Sequence, residues 1–129
     1  MIYTSSGNDG GTVINLTVGD DASLSVPLKT DDGVPYEMDS SEYLIFNVRE
    51  KANEESPLLI NLRSSSGDNT INFSHADTAD LKPGYYSAEV QLMARDGKRI
   101  TVWPKLSGGS KISQGNRKNF CLMSEVVFE

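Results

Sequence analysis

Leu81-Lys82-Pro83-Gly84-Tyr85-Tyr86, followed by Ser87-Ala88-Glu89-Val90-Gln91-Leu92-Met93, is the stretch on which the fold reading turns. Pro and Gly set a sharp turn, and the residues after it alternate with the strand period of two. Tyr86, Ala88, Val90 and Leu92 face one way; Tyr85, Ser87, Glu89, Gln91 and Met93 face the other. The pattern Leu-x-Pro-Gly-x-Tyr before a long strand matches the tyrosine corner of Greek-key proteins. There the ring packs inward and the hydroxyl returns to nearby backbone. Tyr86 is the expected corner residue. Antibody domains carry a cysteine two residues later, where this chain has Ala88, so no inter-sheet disulfide is expected.

Working outward, the same period recurs. Ile14, Leu16 and Val18 share a face, as do Leu24, Val26 and Leu28. Leu44, Phe46 and Val48 form a third set, Ile71 and Phe73 a fourth, and Leu58 to Leu62 resumes the alternation. Pro27 cannot donate to a ladder and belongs at an edge or bulge. Thr30-Asp31-Asp32-Gly33, Ser64 to Asp68 and Arg95-Asp96-Gly97-Lys98 are turn signals. After the last of them Arg99 to Pro104 returns, with Ile100 and Val102 expected inward and Trp103 outward. His75 to Lys82 reads as one helical turn capped by Asp77 or Thr78. A final run, Asn119 to Phe128, supplies a last strand.

Short strands with frequent turns and no long helical period predict an all-β fold. The expectation is a two-sheet immunoglobulin-like Greek-key sandwich of seven or eight short strands. Residues 12–129 form one domain, 1–11 a flexible polar N-terminal segment, and 106–118 a flexible Gly/Ser-rich loop before the last strand.

Composition narrows function by exclusion. Of the 129 residues, 12 are Lys or Arg and 18 are Asp or Glu, a formal net charge of −6. This balance opposes phosphate-rich and anionic-lipid surfaces, so no nucleic-acid or membrane partner is expected. No run of about 20 apolar residues occurs, as a membrane-spanning helix would need. Met1 to Gly11 lacks an apolar signal-peptide core. Cys121 is the single cysteine; it lies in an apolar run and reads as an inert thiol.

No chemistry-bearing constellation stands out. His75 is the only histidine, too few imidazole and thiolate ligands for zinc. No Gly-x-Ser-x-Gly elbow accompanies it. Asp20-Asp21, Asp31-Asp32 and Glu54-Glu55 lack the spaced oxygen ladder of a calcium loop and read as turn or loop residues. Gly108-Gly109-Ser110-Lys111 lacks Walker spacing. The expectation is no enzyme, no cofactor and no metal. Tyr85, Met93 and Trp103 are the expected partner-contact residues, since exposed aromatic and Met side chains suit a protein interface. The alternative is that this face lies inside or under the C-terminal segment, because a local register slip would invert the faces.

One ordered set of motifs carries a resemblance. It runs Gly19-Asp20-Asp21 through Leu28, Asp32-Gly33-x-Pro35-Tyr36, Leu44 to Arg49, Asp77-Thr78-x-x-Leu81-x-Pro83-Gly84-Tyr85-Tyr86, Asp96-Gly97 and Thr101-Val102. Across residues 12–106 the chain resembles the immunoglobulin-like domains of tailed phages and prophages of Gram-positive bacteria. Baseplate upper-protein N-terminal domains are the nearest comparison. The resemblance implies a structural part of a phage tail or baseplate that acts by protein–protein contact. It implies other phage structural proteins as partners, and possible self-association. It also implies a location in the bacterial cytoplasm during assembly and then in the virion. The alternative is a carbohydrate-binding or adhesin module, which would need Trp103 and Tyr36 together on an open surface.

Overall fold

The computed structural model describes residues 1–6, 12–30, 32–51, 55–103 and 118–124. Nearly all of their regular structure is strand: β1 (Ile2–Ser6), β2 (Thr12–Thr17), β3 (Ala22–Ser25), β4 (Tyr43–Arg49), β5 (Leu58–Arg63), β6 (Thr70–Phe73), β7 (Gly84–Met93), β8 (Arg99–Trp103) and β9 (Phe120–Met123). A short helix, α1 (His75–Thr78), sits between β6 and β7.

The strands form a β-sandwich. A seven-stranded sheet has the order β1-β2-β9-β7-β4-β5, with β8 also paired to β7, and β3 pairs β6 in a second, small sheet. The chain changes sheets between β2 and β3, β3 and β4, β5 and β6, and β6 and β7. This is Greek-key crossing, in which consecutive strands need not pair. The pairing of β2 with β9 is parallel and all the others are antiparallel.

The alternating apolar sets meet between the sheets. Leu16, Leu44, Phe46, Val48, Ile71 and Phe120 are fully buried, with Ile14, Val26, Leu28, Phe73, Val90 and Leu122 beside them. Phe46 is the hub. Its ring meets Phe73 edge-on at 5.4 Å and Phe120 at 5.8 Å. Phe73 belongs to the small sheet and Phe120 to the large one, so this aromatic cluster joins the two layers. Pro27 lies beyond the end of β3, clear of any ladder.

The tyrosine corner forms as expected. The Tyr86 hydroxyl donates to the Lys82 carbonyl oxygen at 2.5 Å while its ring packs against the core. Burial of that ring, with the Glu50 charge as a lesser cause, holds the phenol above its ordinary range. Tyr86→Phe should cost about 1 kcal/mol, the net worth of one hydrogen bond whose acceptor can be hydrated when the donor is lost. Paired urea titrations of wild type and variant measure it; no shift in midpoint would show that the ring alone makes the corner.

Two expectations change. Residues 2–6 are not a free segment: Ile2-Tyr3-Thr4 is a β-branched and aromatic run, and β1 pairs β2 from Ile2 opposite Leu16 to Ser6 opposite Thr12. The helix cap also moves. Asp77 is in the third position of α1, and its carboxylate accepts from the Ser74 N–H at 2.7 Å and the Ser74 hydroxyl at 3.1 Å. Ser74 is thus the cap, because tertiary contacts start the helix at His75. The His75 N–H donates to Asp21 at 2.7 Å, and Thr78, fully buried, accepts from the Gly19 N–H at 2.8 Å. The described strands number nine, one more than the eight expected at most, and the addition is β1. The expected flexible loop falls, but for Lys118, outside the described residues.

Candidate partner-binding surface

β8 and β9 lie end to end along one edge of β7. Trp103 of β8 lies opposite Val90, and Phe120 of β9 lies opposite Tyr86. The two strands run in line although residues 104–119 separate them in sequence. Ala88, between those positions, is paired by a side chain. The Ala88 N–H donates to Asn119 Oδ1 at 2.7 Å and Asn119 Nδ2 donates to the Ala88 carbonyl at 2.9 Å. The Asn119 main chain bonds to both sides: its N–H donates to Tyr86 O at 3.2 Å and its carbonyl accepts from the Ile14 N–H at 2.9 Å. Asn119 is buried, and its amide replaces a missing peptide group in the ladder.

This join aligns a row on the outer face of the large sheet. Tyr3 opposes Asn15, Asn15 opposes Cys121, and Cys121 opposes Tyr85. Directly paired residues share a face, so all four project from the same side. The rings stand at the two ends, Tyr3 46% and Tyr85 58% exposed, and their backbones are about 14 Å apart across three strand spacings. Asn15 between them is buried, its Nδ2 donating to Ser5 Oγ at 2.9 Å. The Tyr3 hydroxyl points to Met123 Sδ at 3.4 Å, laying that ring across β2 toward β9. Cys121 is a half-buried free thiol rather than a fully buried one.

The other half of the face is polar. Asn61 Nδ2 donates to Asn47 Oδ1 at 2.6 Å, and Asn47 Nδ2 to Glu89 Oε1 at 3.4 Å, a chain of amides across β5, β4 and β7. The Arg63 guanidinium lies 5.6 Å from the centre of the Tyr43 ring. Chemically the face is aromatic toward β1 and hydrogen-bonding toward β5.

The expected trio of Tyr85, Met93 and Trp103 does not assemble. Tyr85 and Met93 share the outer face but stand eight residues apart on β7, about 27 Å at strand rise. Trp103 is on the opposite face. Gln91 opposes Thr101, but Val90 opposes Trp103, so Val102 is an extra residue in a bulge. A bulge inverts the alternation beyond it. Trp103 therefore follows Val90 inward and packs, half-buried, against the core, as does Val102. Ile100 opposes Leu92 yet remains 48% exposed on β8.

A second cluster forms where the β3–β4, β5–β6 and β7–β8 connections meet. The buried Glu42 carboxylate accepts from the Tyr36 hydroxyl at 2.7 Å and the Asp39 N–H at 3.2 Å, and the Glu42 carbonyl accepts from the Gly67 N–H at 2.7 Å. The bond to Glu42 holds the Tyr36 phenol above its ordinary range. Asp39 is held below the usual carboxylate range, chiefly by hydrogen bonds from the Ser41 hydroxyl and N–H. Arg95 pairs with Asp39 at 3.4 Å. These bonds tie the connections to one another. The Tyr36 hydroxyl is thereby occupied, while Tyr36 as a whole stays exposed.

His75 has a structural task. Its Nδ1 lies 2.7 Å from the Gly19 carbonyl oxygen, which only accepts, so Nδ1 carries the proton. The imidazole thus pins the β2–β3 turn to α1. Gly19 has a φ of +80°, and a Cβ there would sit 3.2 Å from that ring nitrogen. Among the described residues no group of three His, Cys, Asp or Glu side chains converges for a metal. Among the described residues no helix is long and apolar enough to cross a membrane.

Comparisons with protein-family models, curated proteins and solved structures find no match to this chain.

Proposed function

We propose that the chain is a non-enzymatic, immunoglobulin-like assembly component of a phage or prophage tail or baseplate, acting by protein–protein contact. The observation that carries the contact role is the row Tyr3–Asn15–Cys121–Tyr85. Two exposed tyrosine rings flank a buried amide on a rigid sheet face. Tyrosine joins large contact area to low conformational cost and is enriched at interface hot spots. The phage assignment is supported by the ordered motif set, of which the tyrosine corner is the most specific member. Of the expected trio this reading keeps Tyr85, and it sets Tyr3 in place of Met93 and Trp103.

The test is co-expression with the proteins encoded beside its gene, followed by titration calorimetry on any complex. A tail or baseplate protein is the expected partner. Tyr85→Ala should weaken that complex at least tenfold, about 1.4 kcal/mol or more, without moving the unfolding midpoint. Undiminished binding by Tyr85→Ala would remove the row from the interface. A glycan-array signal abolished by Tyr85→Ala, with no tail protein bound, would establish the carbohydrate-binding alternative instead.

A further inference from the structure

Among the described residues β1 is a marginal strand of the large sheet, paired on one side only. In this antiparallel ladder alternate residues turn both backbone polar groups to the neighbouring strand. The Thr17 N–H donates to the Met1 carbonyl at 3.0 Å, so Met1, Tyr3 and Ser5 turn theirs toward β2. Ile2, Thr4 and Ser6 therefore turn their N–H and C=O groups outward, on the side where β1 has no neighbour among the described residues.

Natural edge strands are commonly blunted by lysine, proline, a bulge or an inward charge. Met1 to Ser6 contains no charged side chain and no proline, and its register against β2 is unbroken. The Met1 ammonium is already paired with Asp20. At the opposite margin of the sheet, β5 carries Arg63 and a register shift beside Val48 and Arg49. The chain as a whole is acidic, at −6, yet this strand brings no like charges to a second copy.

The strand is also self-complementary. Thr4 is the middle of its five residues. Antiparallel pairing about a two-fold axis there sets Thr4 against Thr4 and Ile2 against Ser6 as hydrogen-bonded pairs. Tyr3 then falls opposite Ser5 of the second copy in the closer, non-hydrogen-bonded position, a large ring against a small side chain. A parallel register would set Tyr3 against Tyr3. Such an isologous contact closes on itself and stops at two copies.

We infer that the chain dimerises through β1 by two-fold antiparallel strand addition, joining the two large sheets into one continuous sheet. This rests on the contact-module reading above and names a second copy as the partner of this edge. The interface is small, so the dimer is weak and concentration-dependent.

Sedimentation of the whole chain up to about 1 mM tests it, since a Kd of that order is what so small a contact supports. At that concentration the weight-average mass of wild type should rise to about one and a half times that of the monomer. Thr4 is exposed, so Thr4→Lys and Thr4→Glu should each fold with an unchanged far-ultraviolet spectrum. Each sets like charges against one another at the axis and should weaken dimerisation at least tenfold. An equimolar mixture of the two should associate again, because lysine then meets glutamate. A wild type that stays monomeric overturns the proposal. So does a Thr4→Lys dimer of undiminished strength, or a mixture that stays monomeric. Tyr85 binding to another protein is read on a different partner, so its outcome stands whichever way the sedimentation falls.

Discussion

Asn119→Ala should destabilise the domain by about 3 kcal/mol, because it leaves two buried backbone groups without partners. The Ala88 N–H and C=O are bonded to the Asn119 side chain at 2.7 and 2.9 Å, within a sheet that buries both residues. Alanine removes both bonds and puts no water-accessible donor or acceptor in their place. The loss should appear as a lower urea midpoint with an unchanged slope, the mark of a stability change without a change in compactness. Asn119→Asp should not rescue it. A carboxylate can accept from the Ala88 N–H, but it sets a second oxygen against the Ala88 carbonyl and buries a charge. A loss below about 1 kcal/mol for Asn119→Ala would mean that β8 and β9 need no bridge between them.

The second large effect concerns the junction between the sheets. Phe46→Ala should cost about 3–5 kcal/mol, the range for emptying a buried aromatic site. Phe46 is fully buried and touches Phe73 at 5.4 Å and Phe120 at 5.8 Å, so its loss vacates the space between both layers. The edge-to-face contact adds to the area term. A small sandwich has about 5–15 kcal/mol in total, so the variant should melt far lower or stay partly unfolded near 37 °C. Phe46→Leu keeps most of the volume and should lose markedly less. Equal losses for leucine and alanine would show that ring geometry, not filled volume, holds the sheets together.

The candidate surface was only partly legible in advance. Tyr85 lies in a clean alternation after Pro83-Gly84, and its outward direction follows from period alone. Trp103 was misdirected because a bulge costs one residue and leaves little trace in a five-residue strand. Tyr3 was passed over because the polar and glycine residues from Ser5 to Gly11 dilute the short Ile2-Tyr3-Thr4 signal. That β-branched and aromatic triplet was the available clue. Asn119 was missed as a bridge because a single asparagine before an apolar run looks like any other turn residue.

Local physics carried the sequence a definite distance. The period of two places Leu44, Phe46, Val48, Ala88, Val90 and Leu92 inside, because successive strand side chains must point to opposite faces. Pro83-Gly84 and Tyr86 set the corner, since their backbone limits and hydroxyl reach act within a few residues. The order of strands, the parallel contact of β2 with β9 and the end-to-end placement of β8 and β9 along β7 had to wait for the tertiary structure. These depend on pairings between residues as far apart as Tyr3, Asn15, Cys121 and Tyr85, and no short-range pattern encodes which backbone edge meets which. The chain thus determined which side chains face inward, and long-range pairing decided which of the outward ones stand together.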